Sequence, residues 1–384
     1  MEWVRGYYVV DGPSTIIVED GTIDILGYRV GKGATLTVPY GRRIPIKIDG
    51  IVSVRPSYLN LKPANPQSYD IIDTIASKII DFNRVVIVGP TDSGKSTLSL
   101  WALNKALSRG ISKAYYLTVD IGQNEVYCPG FESLALINPP AIPGYTGSFR
   151  DIKLCFVGSF TPRESLDKYL ECASELASKA DGMLIVDTDG WIKDEGLRSK
   201  AILASTIKAD IIIALGLSTE EVRLLKETSN IDTLSFPKLV KSEKSVEERK
   251  IHRERLIAQK LIGSKPRLVS IEKVILENIP LFKGKSLDRS IVKNLSPVLV
   301  YAEILKDNSI VAVYRGKKPN NIQGILLSEG WEKGLLAAVY GIGVHVGIVD
   351  KINYEKKMVI VITAYEGPIE KIEIGKARLT FSPL

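Results

Sequence analysis

Gly89-Pro90-Thr91-Asp92-Ser93-Gly94-Lys95-Ser96-Thr97 is the stretch in which residue type and spacing point most directly to chemistry. It fits G-x-x-x-x-G-K-[ST], a loop whose backbone N–H groups wrap nucleotide phosphates, whose lysine reaches the β- and γ-phosphates, and whose hydroxyl binds Mg²⁺. Gly284-Lys285-Ser286 ends the same way, but Ile279 stands where the first glycine belongs. Asp120 closes the run Thr118-Val119-Asp120-Ile121-Gly122-Gln123, and Asp187 closes Ile185-Val186-Asp187-Thr188-Asp189-Gly190-Trp191. In phosphoryl transfer one such carboxylate can hold Mg²⁺ while another accepts the proton of an attacking hydroxyl. The plainer alternative for either is a solvated or helix-capping carboxylate at a strand end.

Three further features carry weaker signals. Thr161-Pro162-Arg163-Glu164 spells a capping box, and a helix N-terminus there could also present donors to a phosphate. Arg249 and Arg253 are four residues apart, on one face of a basic helix, where they could grip phosphate oxygens. Trp191 follows a strand-end acid and could stack on a base, or serve as ordinary packing.

The elements that must position these residues can be read from periodicity. Val85-Val86-Ile87-Val88 before the loop suits a buried parallel strand, and Leu100, Leu103 and Leu107 after it recur at helical spacing until Gly110. From residue 69 onward helices and strands alternate. A helix is expected over 71–82, strands over 114–119, 152–157, 183–186 and 211–215, and helices near 163–180, 196–207 and 219–228. A parallel sheet covered on both faces binds ligands at the carboxyl ends of its strands. A proline- and glycine-punctuated segment between the second and third strands, with Tyr145 and Phe149 near its end, reads as a long loop.

Before that region, short apolar runs punctuated by Gly12-Pro13, Gly21 and Gly33 predict a small β-sandwich, and after about residue 266 the pattern returns to strands. The expected fold class is therefore α/β: a central P-loop NTPase-type parallel sheet with helices on both faces, flanked by small N-terminal and C-terminal all-β domains. The boundaries fall at 1–66, 67–265 and 266–384.

Composition is that of an ordinary globular chain: 384 residues, 45% hydrophobic, 25% charged. Cys128, Cys155 and Cys172 show no paired spacing, and with two histidines there is no zinc constellation. No basic-then-apolar leader opens the chain and no apolar run reaches membrane-span length, so the expected setting is cytoplasmic, or nuclear in a eukaryote, with no membrane. The net charge of +7 is compatible with a polyanionic partner.

Gly-Pro-Thr-Asp-x-Gly-Lys-Ser-Thr at 89–97, Asp-x-Gly-Gln at 120–123 followed by Pro129-Gly130, Thr161-Pro162, Asp-Gly-Trp at 189–191 and the arginine helix at 249–255 occur in this order. Together they resemble the polynucleotide 5′-hydroxyl kinase family, which includes kinase subunits of mRNA cleavage-factor and tRNA-splicing assemblies and rRNA-processing kinases. The resemblance implies ATP- and Mg²⁺-dependent transfer of the γ-phosphate to the 5′-hydroxyl of RNA, leaves DNA ends open as acceptors, and implies RNA-processing partner proteins. It assigns Gly89, Thr91, Asp92, Ser93, Gly94, Lys95, Ser96 and Thr97 to the nucleotide, with Lys95 on the phosphates, Ser96 on Mg²⁺ and Thr97 supporting the loop. Asp120 becomes the general base and, with Ser96 and Gln123, part of the metal site. Gln123 helps hold the metal-bound water or the substrate end, Thr161 belongs to a clasp near the γ-phosphate, and Trp191 contacts the terminal nucleotide. Arg249 and Arg253 form a lid, and Arg43 is the candidate contact to adenine. Two departures stand out: Ser165 replaces the usual clasp asparagine, and Glu248 and His252 replace lid arginines.

Two other readings compete. One is an ATP-binding scaffold of an RNA-processing complex that does not turn ATP over. The other, a GTPase switch, lacks an Asn-Lys-x-Asp sequence after the fifth strand, where Leu215-Gly216-Leu217-Ser218 stands. Which RNA is the natural acceptor, the oligomeric state, the C-terminal domain's contacts and the choice between Asp120 and Asp187 as base are left open by the residues alone.

Overall fold

A computed structural model describes residues 2–239 and 245–379 and divides the chain into two compact units, Met1–Arg253 and Glu254–Leu384. The first begins with β1 (Val4–Asp11), β2 (Ser14–Ile25), β3 (Tyr28–Gly31), β4 (Thr35–Val38), β5 (Arg43–Arg55) and β6 (Leu61–Pro63). These form one antiparallel sheet in the order β3-β2-β5-β1-β6, with β4 also on β2, rather than the two sheets of the expected sandwich, because its buried face packs into a core shared with the region that follows. Alternation sets its buried face: Ile44, Ile46 and Ile48 of β5 are buried while Lys47 and Arg43 are exposed.

A nucleotide-binding-type α/β region follows: α1 (Pro66–Ile79), β7 (Arg84–Val88), α2 (Lys95–Ser108), β8 (Ala114–Thr118), β9 (Phe131–Ile137), β10 (Phe149–Phe156), α3 (Leu166–Ser178), β11 (Met183–Asp187), α4 (Glu195–Thr206), β12 (Ile211–Leu215), α5 (Thr219–Ser229) and β13 (Thr233–Phe236). The sheet order is β10-β9-β8-β11-β7-β12-β13. Strands β8, β11, β7 and β12 are parallel, as the apolar runs predict, and β13, which they do not predict, joins β12 in parallel. The strand expected over 152–157 is β10, which is antiparallel and lies at the sheet edge because its partner is β9. The antiparallel pair β9 and β10 extends the sheet on one side. β9 lies within the segment expected to be a long loop: Glu132 and Ser133 interrupt its apolar pattern, yet both are buried.

The N-terminal sheet and the α/β region share one hydrophobic core, in which Ile23 and Ile25 lie with Trp101 and Leu103 of α2. Gly27, at φ +78°, passes so close that a Cβ there would lie 2.7 Å from Trp101 Cδ1. Trp101 Nε1 donates to Asp73 at 3.1 Å, the Tyr69 hydroxyl donates to Asp24, and Asn104 donates to the carbonyls of Leu26 and Ala141. The candidate adenine contact, Arg43, is thereby carried on a sheet that packs against the helix following the phosphate loop.

Two local expectations are corrected. Cys155 of β10 and Cys172 of α3 form a disulfide, although 17 residues separate them and no spacing pattern signals it; the packing of α3 against β10 brings them together. The capping box at Thr161 does not form. Thr161 makes no side-chain cap bond, Glu164 accepts instead from Ser159 Oγ at 2.6 Å, and Pro162–Glu164 is a 3₁₀ turn ahead of α3.

Helix α6 (Val246–Lys260) carries Arg249 and Arg253. The second unit continues with β14 (Lys265–Ser270), β15 (Ile275–Glu277), β16 (Lys285–Ser286), α7 (Arg289–Leu295), β17 (Leu299–Ile304), β18 (Ile310–Tyr314), β19 (Gly324–Ser328), β20 (Leu335–Gly341), β21 (Gly343–Asn353), β22 (Met358–Thr363) and β23 (Lys371–Arg378). It is built from a six-stranded sheet, β14-β22-β21-β20-β23-β15, and a four-stranded sheet, β16-β17-β18-β19. Among the described residues no helix is long and apolar enough to cross a membrane.

Candidate active site

Parallel pairing puts three strand ends side by side. Asp187 at the end of β11 is in register with Thr118 of β8 on one side and Ile87 of β7 on the other. The phosphate loop leaves β7, Asp120 follows β8, and Asp187 ends β11, so all three chemistries converge on one edge. A cleft of about 290 Å³ is lined there by Thr91–Thr97, Asp120, Gln123, Asp187, Arg249, and Arg42 and Arg43 from the N-terminal sheet. Gly89, Thr161, Trp191 and Arg253 do not line it. A more open cavity of about 610 Å³ near α4 and α5 is lined by Lys193 and Arg198 together with Asp194, Glu195 and Glu221, without convergence on the loop.

The loop's glycines have steric reasons. A Cβ on Gly89 would lie 2.5 Å from Leu215 O, and Gly94 has φ +96°, immediately before α2. Lys95 Nζ donates to the carbonyls of Gly89 and Pro90 at 2.9 and 2.8 Å. Burial lowers the pKa of Lys95, and Asp187, Asp120 and Asp189 oppose that effect. Ser93 Oγ is buried without a hydrogen-bond partner, a donor free for an anion.

The two strand-end carboxylates differ in surroundings. Asp120 faces the cleft and its Oδ1 accepts the N–H groups of Gly122 and Gln123, both at 3.1 Å. Burial, then the negative charge of Asp189, push it up to about 7, against the opposing charge of Lys95. Asp187 is raised by burial, while Lys95 and hydrogen bonds from Ser96 and Tyr116 oppose the rise. The Tyr116 hydroxyl donates to Asp187 Oδ2 at 2.6 Å, and Asp187 Oδ1 is buried without a partner. One open carboxylate oxygen on a residue hydrogen-bonded to the loop serine is a donor set that fits Mg²⁺, which keeps waters and takes one or two protein ligands. Asp187 is legible in the sequence as a strand-end acid, but its hydrogen bond with Ser96 is not.

Arg249 reaches back to the loop, its Nη1 3.1 Å from Asp92 Oδ2. Gln123 Nε2 donates to the carbonyls of Gly122 and Arg249, so this amide ties the Asp120 turn to α6. Arg253 lies over the Phe160 ring at 4.8 Å. Glu125 joins three elements that the sequence did not connect: it pairs with Arg42 of the N-terminal sheet and, at 2.9 Å, with His252 Nε2 of α6.

Trp191 sits beside the loop rather than in the cleft. A Cβ on neighbouring Gly190 would lie 2.6 Å from Thr91 N. Trp191 N donates to Asp189 Oδ1 at 2.8 Å, and the Arg163 guanidinium lies 5.2 Å from its ring centre, which brings the Thr161-Pro162-Arg163 turn and Trp191 together. Beneath them is a buried network that sequence spacing did not predict. Lys200, fully buried, pairs with Asp189 and donates to the Tyr169 hydroxyl at 3.1 Å, and Tyr169 donates to Asp189 at 3.1 Å. Glu132 is buried nearby without a hydrogen-bond partner, and burial pushes its pKa well up.

Residues 89–261 match the family described as the mRNA cleavage and polyadenylation factor CLP1 P-loop. A polyribonucleotide 5′-hydroxyl-kinase of Pyrococcus abyssi is 26% identical over 77% of this chain and 87% of its own. A CLP1 homolog of Arabidopsis thaliana is 32% identical over 40% of this chain and 38% of its own. A solved structure of wild-type Clp1p in complex with Pcf11p superposes with a TM-score of 0.62 at 17% identity, covering 98% of this chain and 99% of that one.

Proposed function

Since this chain belongs to the polynucleotide 5′-hydroxyl kinase family, we propose that it transfers the γ-phosphate of ATP to the 5′-hydroxyl end of RNA. One observation carries the reading: a carboxylate held near neutrality, Asp120, shares a cleft with the phosphate-loop lysine and serine and with a lid arginine. A base with an apparent pKa of about 7 accepts a hydroxyl proton most effectively near neutral pH.

In this reading Lys95 exchanges the carbonyls of Gly89 and Pro90 for the β- and γ-phosphates, and the N–H groups of the loop with Ser93 Oγ cradle them. Ser96 and Asp187 would hold Mg²⁺, which neutralises charge on the phosphates. That division leaves Asp120 as base, oriented by the N–H groups of Gly122 and Gln123. Gln123 helps hold the acceptor end, and Arg249 and Arg253, on one face of α6, stabilise charge on the transferring phosphoryl. Arg43 lines the adenine end. Trp191, steadied by Asp189 and Arg163, contacts the terminal nucleotide, and Thr161, free of a capping bond, belongs to the clasp near the γ-phosphate. DNA ends are a second acceptor class to be tested. The three-domain division at 66 and 265, a cytoplasmic or nuclear setting and an RNA-processing protein partner, which the Clp1p–Pcf11p complex illustrates for that relative, belong to the same proposal.

The test is label transfer from γ-labelled ATP to a 5′-hydroxyl oligoribonucleotide. Wild type should transfer, and Lys95→Ala and Asp120→Asn should not. Full transfer by both variants would overturn the residue roles. ATP retained by the wild type without transfer to any RNA or DNA end would establish the scaffold reading, which the base and lid present here disfavour.

A further inference from the structure

The charge of this protein is not spread evenly. Met1–Arg253 holds 31 Lys and Arg against 31 Asp and Glu, whereas Glu254–Leu384 holds 20 against 13, so the second unit carries the entire net charge of +7. Its acids are also partly withdrawn from the surface. Glu303, Glu332 and Glu373 are buried, Glu303 accepting from the Tyr301 hydroxyl and Glu332 and Glu373 from those of Tyr354 and Tyr340. These buried carboxylates are not among the side chains that a bound strand would touch, so the groups displayed at the surface are more basic than the count implies.

Much of this excess lies on the four-stranded sheet. Pairing of Lys285 with Ile304 puts Lys283 at the same end of the sheet as Lys306, which follows β17. Lys317 and Lys318 lie in the connection that leaves β18 at the other end, about 17 Å away by strand length. All five are exposed, and none is within ion-pair distance of a carboxylate among the described residues. The segment presenting the first of them is fixed from beneath: Glu303 accepts the N–H groups of Phe282, Lys283 and Gly284 at 2.9, 3.1 and 3.3 Å. Arg315, next to the loop, is instead paired with Glu329.

We propose that the second unit is an RNA-backbone-binding module whose grip is formed by Lys283, Lys285, Lys306, Lys317 and Lys318. It rests on the reading that RNA is the substrate. Unpaired lysines displayed on a small rigid sheet bind phosphates without reading sequence, which suits an enzyme that must accept the ends of many RNAs. Holding the body of the strand raises the local concentration of its 5′ end for the first unit, which by itself has no net charge to attract a polyanion.

The experiment uses the full chain in three forms: wild type, the five lysines changed to Gln, and the same five changed to Arg. Anisotropy of a labelled 5′-hydroxyl oligoribonucleotide of about 20 nucleotides is followed across a salt series, where each lost single-strand phosphate contact removes about 0.7 from the slope of log K against log salt. The Gln form should lose up to about 3.5 from that slope and about tenfold or more in affinity, and the Arg form should match wild type. In the kinase assay the Gln form should raise KM for the long acceptor, with kcat and the KM of a trinucleotide acceptor unchanged. An unchanged slope in the Gln form overturns the proposal, as does an Arg form as weak as the Gln form, which would mean that packing rather than charge was lost. Charge-dependent binding without transfer by the wild type would sink the kinase reading and uphold this one. Transfer with an unaltered slope would do the reverse.

Discussion

Asp120→Asn separates the chemistry of the candidate base from its place in the fold, because the substituted side chain keeps an oxygen for the N–H groups of Gly122 and Gln123. In the free protein Asp120 has an apparent pKa of about 7 instead of an ordinary 3.8, a difference worth about 4 kcal/mol. The folded state holds this proton more tightly than the unfolded chain does. The contribution to stability is therefore full below about pH 3.8, declines as pH rises, and is lost above about 7. Removing the carboxyl should leave stability near pH 4 almost unchanged and raise it at pH 8 by up to about 4 kcal/mol, read by urea denaturation at the two pH values. Catalysis should move the other way. The wild-type kcat/KM should climb through a limb near pH 7, and Asp120→Asn should lose that limb together with about 10²- to 10⁴-fold in rate. Equal stability differences at the two pH values, or a limb that survives the substitution, would refute the assignment. Because Asp189 is the second cause of the raised value, Asp189→Asn should shift the limb to lower pH.

Gly190→Ala would drive a Cβ into Thr91 and displace the phosphate loop; ATP affinity measured by calorimetry should fall while the melting temperature changes little. Lys200→Met leaves Asp189 buried without its cation and should cost about 3 to 5 kcal/mol in denaturant unfolding, with Lys200→Met/Asp189→Asn recovering part of the loss. Opening the Cys155–Cys172 bridge by Cys172→Ser should lower stability by about 3 kcal/mol, the effect expected for a closed loop of this length, and the wild type under reductant should show the same loss.

What the sequence could convey depended on whether a feature is local. The phosphate loop, its preceding strand and its helix are contiguous, so Gly89 to Thr97 could be assigned from spacing and their steric demands agree with the fold. Asp120 and Asp187 could be placed at strand ends, but spacing alone could not divide base from metal ligand. That division depends on which strand neighbours the loop, and only sheet order puts Asp187 beside Ser96 with one oxygen unpartnered. Glu132 and Lys200 were invisible for a related reason: a charged letter in an amphipathic pattern reads as solvent-facing, and here both face inward from β9 and α4. The Arg42–Glu125–His252 contacts join three segments far apart in sequence, so their charges looked like unrelated surface residues. Net charge failed differently. Spread over 384 residues, +7 says little; assigned to the 131 residues after Arg253, it distinguishes a neutral unit carrying the nucleotide cleft from a basic one carrying exposed lysines. The boundary that gives the number meaning comes from packing, and packing is what a count along the chain leaves out.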